Sequence, residues 1–258
     1  ISYLVFPEQY FGIGPRSEEA DGESYSNRRI DADIVLHSRL GIDNLYGGFR
    51  VINQKMTVTE TEDEGLFADG DVPGGGDYFA SGLGYAFRWE TRNNRQTPQQ
   101  GHLIRLSQVM FDGSLGSTHK FMRIEAEARK YFQLTDVPGR DILAVQALGV
   151  FHRGDPPFRM LSLLGSKNDF RGYQRGRFRD RQYYSAQAEY RRELFWRVGA
   201  TVFGGFGDVA HNLRGFQAET IKTFYGAGFR FKMDRRNNIN LRVDVAMNQQ
   251  NEPSFYFG

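Results

Sequence analysis

The stretch "INLRVDVAMN", residues 239–248, alternates without a break. Ile239, Leu241, Val243, Val245 and Met247 fall on one side of an extended chain, and Asn240, Arg242, Asp244, Ala246 and Asn248 on the other. Side chains of a strand point alternately to its two faces, so this is a strand with one apolar and one polar face. A helix would scatter the same residues around its circumference.

The pattern recurs along the chain. At 30–40, Ile30, Ala32, Ile34, Leu36 and Leu40 oppose Asp31, Asp33, His37 and Arg39. At 79–90, Phe79, Leu83, Tyr85, Phe87 and Trp89 oppose Gly82, Gly84, Arg88 and Glu90. Met122, Ile124, Ala126 and Ala128 oppose Arg123, Glu125, Glu127 and Arg129; Tyr225, Ala227, Phe229 and Phe231 oppose Gly228, Arg230 and Lys232. Less regular candidates lie near 1–6, 44–58, 101–111, 142–152, 183–195, 197–207 and 254–258. The total is about twelve strands, each near the length needed to cross a bilayer at a tilt.

The connections also alternate. "TRNNRQTPQQ", "TDVPGR" and "DRRNN" are short and turn-like, whereas 7–27, 61–78, 153–182 and 209–222 are long. Short turns at one end and long loops at the other describe an up-and-down barrel of the outer-membrane type. A soluble sandwich alternates too, but its polar face meets water and its charges need no partners. Here that face carries both signs together, as Arg88 with Glu90, Arg123 with Glu125 and Glu127, and Arg242 with Asp244. Enclosed charges must be paired or hydrated, which favours a lumen. The expected fold is therefore an all-β antiparallel transmembrane β-barrel with a polar lumen. No domain boundary interrupts 1–258, which reads as a single barrel domain truncated at both ends.

Composition narrows the function without choosing the fold. The 258 residues hold 33 Lys+Arg against 31 Asp+Glu, a balance unlike that of a nucleic-acid binder. Absence of cysteine excludes disulfides, zinc–thiolate sites and a cysteine nucleophile. A mean hydropathy of −0.55 fits a soluble protein or a barrel, in which only alternate residues are apolar. The histidines His37, His102, His119, His152 and His211 show no metal-ligand spacing, and no GxSxG elbow is present. "YFGIGP" and "GAGFRF" do not sit between a strand and a helix, so they are not dinucleotide loops. Glu60, Glu62, Asp63 and Glu64 read as a solvated acidic loop rather than a calcium site. The expectation is a protein that is not an enzyme and uses no cofactor.

One loop stands apart. "NDFRGYQRGRFRDR", 168–181, carries five arginines interleaved with aromatics. Alone it suggests a polyanion clamp. Its context is "LLGSKNDFRGYQRGRFRDRQYYSAQAEYRREL", followed by "FGGFGDVA", "LRVDVA" and a closing "SFYFG", with "FPEQYFGIG" at 6–14. This series resembles the BamA/TamA (bacterial surface antigen) superfamily of outer-membrane barrels, most strongly over 160–258. The resemblance implies that Arg171, Gly172 and Tyr173 form the family's Arg-Gly-aromatic motif, in a surface loop folded back into the barrel. It implies that Arg171 meets an aromatic and an aspartate of the wall, which the "FGD" match places at Phe206 and Asp208. "EYR" places Glu189 and Arg191 on the strand after the loop. Chemically this is sound, because a guanidinium forks onto a carboxylate and stacks on a ring.

Two features depart from the family pattern. Gly165-Ser166 stands where the family has paired glycines, and no periplasmic POTRA domain is visible. A sixteen-stranded member would need about four more strands before Ile1. The resemblance implies a location in the bacterial outer membrane and assisted insertion or translocation of proteins or lipids there. It also implies contact with membrane lipids and lipopolysaccharide, and with envelope proteins or client barrels, but with no nucleic acid. An accessory subunit of an envelope complex and a narrow passive channel are the alternatives. The remaining arginines, Arg175, Arg177, Arg179 and Arg181, are left between lumen carboxylates and lipopolysaccharide.

Overall fold

The apolar face of each strand points outward and the polar face inward, the reverse of a soluble sandwich. On the strand Lys222–Asp234, Tyr225 and Phe229 are exposed, Phe229 to 65%, while Phe224 on the opposite parity is buried. On Tyr78–Glu90, Phe79, Leu83, Tyr85, Phe87 and Trp89 are all exposed, while Tyr78, Ala80 and Ala86 are buried. Two stacked sheets would hide those rings between them. An outward band of this kind is matched to hydrocarbon.

The computed structural model describes residues 2–20, 22–166, 168–234 and 239–258. The first seven strands are β1 Ser2–Tyr10, β2 Glu23–Arg39, β3 Leu45–Thr61, β4 Tyr78–Glu90, β5 Gly101–Phe111, β6 Phe121–Gln133 and β7 Asp141–Gly154. Two short strands, β8 Ser162–Leu164 and β9 Phe178–Asp180, pair within the following loop. The wall resumes with β10 Gln182–Phe195, β11 Val198–Ala210, β12 Lys222–Asp234, β13 Ile239–Met247 and β14 Pro253–Phe257. Twelve strands form one antiparallel sheet in chain order, with β7 pairing directly to β10. All twelve strands expected from periodicity are present. Of the expected turn at 234–238, residues 235–238 lie outside the described residues.

The first hairpin is longer than its alternation suggests. β1 and β2 stay in register from Ser2↔Asp31 to Tyr10↔Glu23, so the connection shrinks from the expected 7–27 to 11–22. Polar residues continue the ladder there because backbone pairing does not require an apolar face.

Inward side chains reveal how tightly the wall curves. Arg50 on β3 forks onto Asp33 of β2 at 3.0 and 2.7 Å. It also donates to Ser107 of β5 at 2.8 Å and to Glu125 of β6. A flat sheet would separate β3 from β6 by about 14 Å, three strand spacings, which an arginine cannot bridge. Curling the sheet makes the contact and satisfies the charges.

The lumen is not polar throughout, and the expectation is corrected in that respect. Toward the long-loop ends of the strands, Phe158, Met160 and Leu161 of the 155–181 loop pack with Tyr10, Tyr25, Met56, Phe111 and Phe121 of the wall. A second cluster joins Leu164, Phe170, Tyr173 and Phe178 of the loop to Val150, Tyr183, Phe203, Val209 and Phe224. The loop thus supplies the apolar core that a bare barrel end would lack.

The two faces should respond oppositely to charge. Val202→Arg, on the outer face of β11, should destabilise the folded barrel by about 2–4 kcal/mol. Arg105→Gln, at a half-exposed ion pair inside, should cost under about 1 kcal/mol. Urea titrations of the refolded protein in lipid vesicles measure both; equal effects would place Val202 away from hydrocarbon.

Candidate functional site

Three arginines and two carboxylates converge on the inner wall of β10 to β13. Glu189 and Arg191 come from β10, Arg230 from β12, and Arg242 and Asp244 from β13. Each pair of residues two apart on a strand shares a face, which is why "EYR" and "RVD" both deliver a charge of each sign inward. Arg191 Nε donates to Glu189 Oε1 at 2.7 Å. Arg230 pairs with Asp244 and stands 3.7 Å from Glu189, and Arg242 lies 3.6 Å from Asp244.

Arg171 enters this cluster from the loop. Its Nη2 donates to Glu189 Oε2 at 2.7 Å and its Nη1 to Asp244 Oδ2 at 3.1 Å. Its guanidinium carbon lies 3.4 Å from the centroid of the Phe203 ring. Arg171 is 2% exposed and Asp244 fully buried. Burial at this depth makes both the fork and the ring contact count for more than on a surface, the ring contact reaching about 2 kcal/mol.

Glycines on β12 leave room for this arrangement. A Cβ at Gly226 would stand 2.6 Å from Phe203 Cζ, and one at Gly228 would stand 2.0 Å from Asp244 Oδ1. The ring and the carboxylate occupy the space those side chains would fill.

The flanking motif residues fix the loop's path. Gly172 takes φ +88°, a left-handed conformation that suits glycine, and its N–H donates to the Tyr256 hydroxyl of β14 at 2.9 Å. Tyr173 donates to the Thr223 carbonyl at 3.1 Å and accepts from Gln249 N–H at 3.2 Å. Burial pushes the Tyr173 phenol above its ordinary range, which keeps that donor proton in place. Phe170, fully buried, lies 4.7 Å from the Phe224 ring and close over Gly207, where a Cβ would meet it at 2.8 Å.

The structure brings Arg171 together with Glu189 and, through Glu189, with Arg191. It does not bring Arg171 to Phe206 or Asp208, and the "FGD" assignment is corrected. Both residues share the outward parity of Val202; Phe206 is 46% exposed. The following loop covers Asp208, which accepts from Thr220 Oγ1 at 2.5 Å and from Val209 N–H at 2.9 Å. Phe203 has the opposite parity and faces the lumen. A one-residue step changes the face of a strand, so a tripeptide match without its parity selects the wrong wall. Asp244 was already on the polar face of 239–248, but nothing local pairs it with a loop more than seventy residues earlier.

An outer-membrane-type barrel with an arginine-locked loop folded into its lumen is the class that fold and site define. The sequence agrees: the Omp85 superfamily domain matches residues 2–258, and the chain belongs to that superfamily. The structure is similar to the crystal structure of BamA from Haemophilus ducreyi lacking POTRA domains 1–3, with a TM-score of 0.69 and 11% sequence identity. The match covers 99% of this chain and 57% of that one, so the chain spans little more than half of the solved relative. At that identity the likeness concerns the fold. A comparison with curated proteins gives no match.

Double-mutant cycles separate the two assignments. Arg171→Ala combined with Asp244→Asn should show a coupling of about 1–3 kcal/mol, and with Phe203→Leu about 1 kcal/mol. Arg171→Ala with Asp208→Asn should be additive within about 0.5 kcal/mol. Arg171→Lys should not restore the loss, since an ammonium cannot fork between two carboxylates while stacking on a ring. Denaturant midpoints in vesicles give all the terms; strong coupling to Asp208 would reverse the assignment.

Proposed function

We propose that this chain assists the insertion or translocation of proteins or lipids at the bacterial outer membrane. The observation that carries the reading is the path of the 155–181 loop between the first and last strands. Gly172 is held by Tyr256 of β14, and two residues later Gln174 donates to Gln9 of β1 at 3.3 Å. Arg159 of the same loop donates to Glu8 of β1 at 2.7 Å. Among the described residues no ladder joins β1 to β14. Within this chain the loop is thus bonded to both edge strands of the sheet.

Unpaired strand edges are templates for an incoming strand. In the proposed mechanism, release or shift of the loop lets the β1 and β14 edges separate and accept a client segment or admit lipid. Arg171 sets the cost of that release through its buried contacts. The process is driven by client folding and lipid rearrangement and requires no nucleotide, cofactor or catalytic side chain. Client barrels, lipids and lipopolysaccharide are the partners this role calls for.

A wide passive channel is disfavoured by the loop clusters that fill the long-loop end of the lumen. The accessory-subunit reading differs in requiring a stable partner and no activity of the barrel alone.

Proteoliposomes containing the protein should accelerate folding of an unfolded client barrel, scored by its heat-modifiable mobility, over protein-free liposomes. Arg171→Ala should change that rate several-fold while the protein itself stays folded. No acceleration, together with unchanged outer-membrane barrel yields on depletion in the host, would dismiss the proposal. A stoichiometric complex recovered in that case would favour the accessory role.

A further inference from the structure

A second group of arginines in the same loop is not locked. Arg179 on β9 is 2% exposed, yet among the described residues its Nε and Nη1 have no hydrogen-bond partner. It faces the Tyr10 and Phe158 rings at 4.9 and 5.5 Å, and among the described residues no carboxylate lies within ion-pair distance of it. A buried guanidinium in that position is costly unless something completes its hydrogen bonds. Arg171 also has a buried Nε without a partner among the described residues, but both of its Nη groups meet carboxylates, whereas Arg179 meets none.

Arg179 lines a cavity of about 450 Å³ between the loop and β1. Arg159 lines it as well; one arm donates to Glu8, while its own buried Nε has no partner among the described residues. Arg175 stands exposed at the rim beside Gln174 and forms no ion pair among the described residues. Burial lowers the proton affinity of Arg175 and Arg179, and the nearby Arg159 adds to the effect on both. Arginine nonetheless stays charged at any physiological pH.

The local charges do not cancel. Arg29 and Arg159 share Glu8, and Arg29 also pairs with Asp31 at 2.6 Å. Among the charges that line the cavity and their ion-pair partners, Arg29, Arg159, Arg175 and Arg179 outnumber Glu8 and Asp31 by two. A phosphomonoester carries about −1.5 to −2 charges at neutral pH and three acceptor oxygens. A carboxylate has one charge and two oxygens, and would leave the second arginine as it stands.

We propose that the cavity between the 155–181 loop and β1 is a phosphate-binding site, with Arg179 and Arg159 as its buried donors and Arg175 closing over the bound group. The ligand is a phosphomonoester, carried either by a lipid headgroup or by a small soluble molecule. The site stands on its own residues and is independent of the insertion role proposed above. It also accounts for an arginine-rich loop of which only part is used in the lock.

The test uses the folded wild-type protein in a nonionic, phosphate-free detergent. Calorimetric titrations are run with inorganic phosphate, with phosphatidic acid in mixed micelles of that detergent, and with acetate at matched ionic strength. Saturable binding of a phosphate probe is expected. It should weaken at least about tenfold in Arg175→Gln/Arg179→Gln and stay unchanged in Arg214→Gln, an exposed loop control. Removing an unsatisfied buried charge should leave the fold intact, as heat-modifiable mobility will report; should the double variant not fold, Arg175→Gln alone should weaken binding several-fold. Phosphatidic acid binding much more tightly than inorganic phosphate assigns the site to a lipid headgroup, and equal binding assigns it to a soluble phosphate. No saturable binding of either phosphate probe, equal affinity in the variant, or acetate binding as tightly as phosphate would each overturn the proposal.

Discussion

A guanidinium taken out of water must be given its partners, and the closed end of this barrel is built around that requirement. Arg171 can lie inside the lumen because Glu189, the Phe203 ring and Asp244 are already held there by β10, β11 and β13. Gly226 and Gly228 on β12 keep the space open for the ring and the carboxylate. Once Arg171 is placed, Phe170 and Tyr173 on either side of the Arg-Gly pair reach the apolar cluster of the wall. Remove the charge match and the loop loses the reason to turn inward; remove the apolar cluster and the arginine would be dragged into a wet lumen where its contacts weaken.

The same requirement explains the curvature. Charges of both signs on the inner face pair across several strands, as Arg50 does from β2 to β6, and such pairs form only when the sheet is curled. The outward face contributes differently, since its exposed Phe, Leu and Tyr side chains are stable only against hydrocarbon. Fold and membrane are therefore not separable: the sequence encodes an inside-out distribution in which ion pairs form the interior and the bilayer replaces the second sheet.

Much of this was legible in advance. The strands could be read because alternation is a local property, repeated in segments such as 239–248 and 79–90. Arg171, Gly172 and Tyr173 could be singled out because their tripeptide is followed by further motifs in a fixed order. The partners of Arg171 were harder. Phe206 and Asp208 match the motif by spelling, but Phe203 and Asp244 match it by face, and parity along β11 is obscured by its run of glycines and by the cover that Thr220 provides over Asp208. Contacts between a loop and strands far along the chain leave no local trace. The different fates of Arg171, Arg177, Arg179 and Arg181 within one basic stretch are likewise invisible without the fold. Arg177 donates to the Ser17 carbonyl, Arg181 pairs with Asp155, and Arg179 faces two rings with no carboxylate partner among the described residues.

The central claim is that Arg171 lies inside the barrel against Phe203. Nuclear magnetic resonance of the arginine side chains in detergent-solubilised protein tests it directly. Stacked at 3.4 Å on the ring, the Arg171 side-chain protons should carry a marked upfield ring-current shift and exchange slowly with water. Phe203→Leu should abolish the shift and Phe206→Leu should leave it intact. Arg171 resonances at solvent-exposed positions with fast exchange, or a shift that depends on Phe206 instead, would contradict the account.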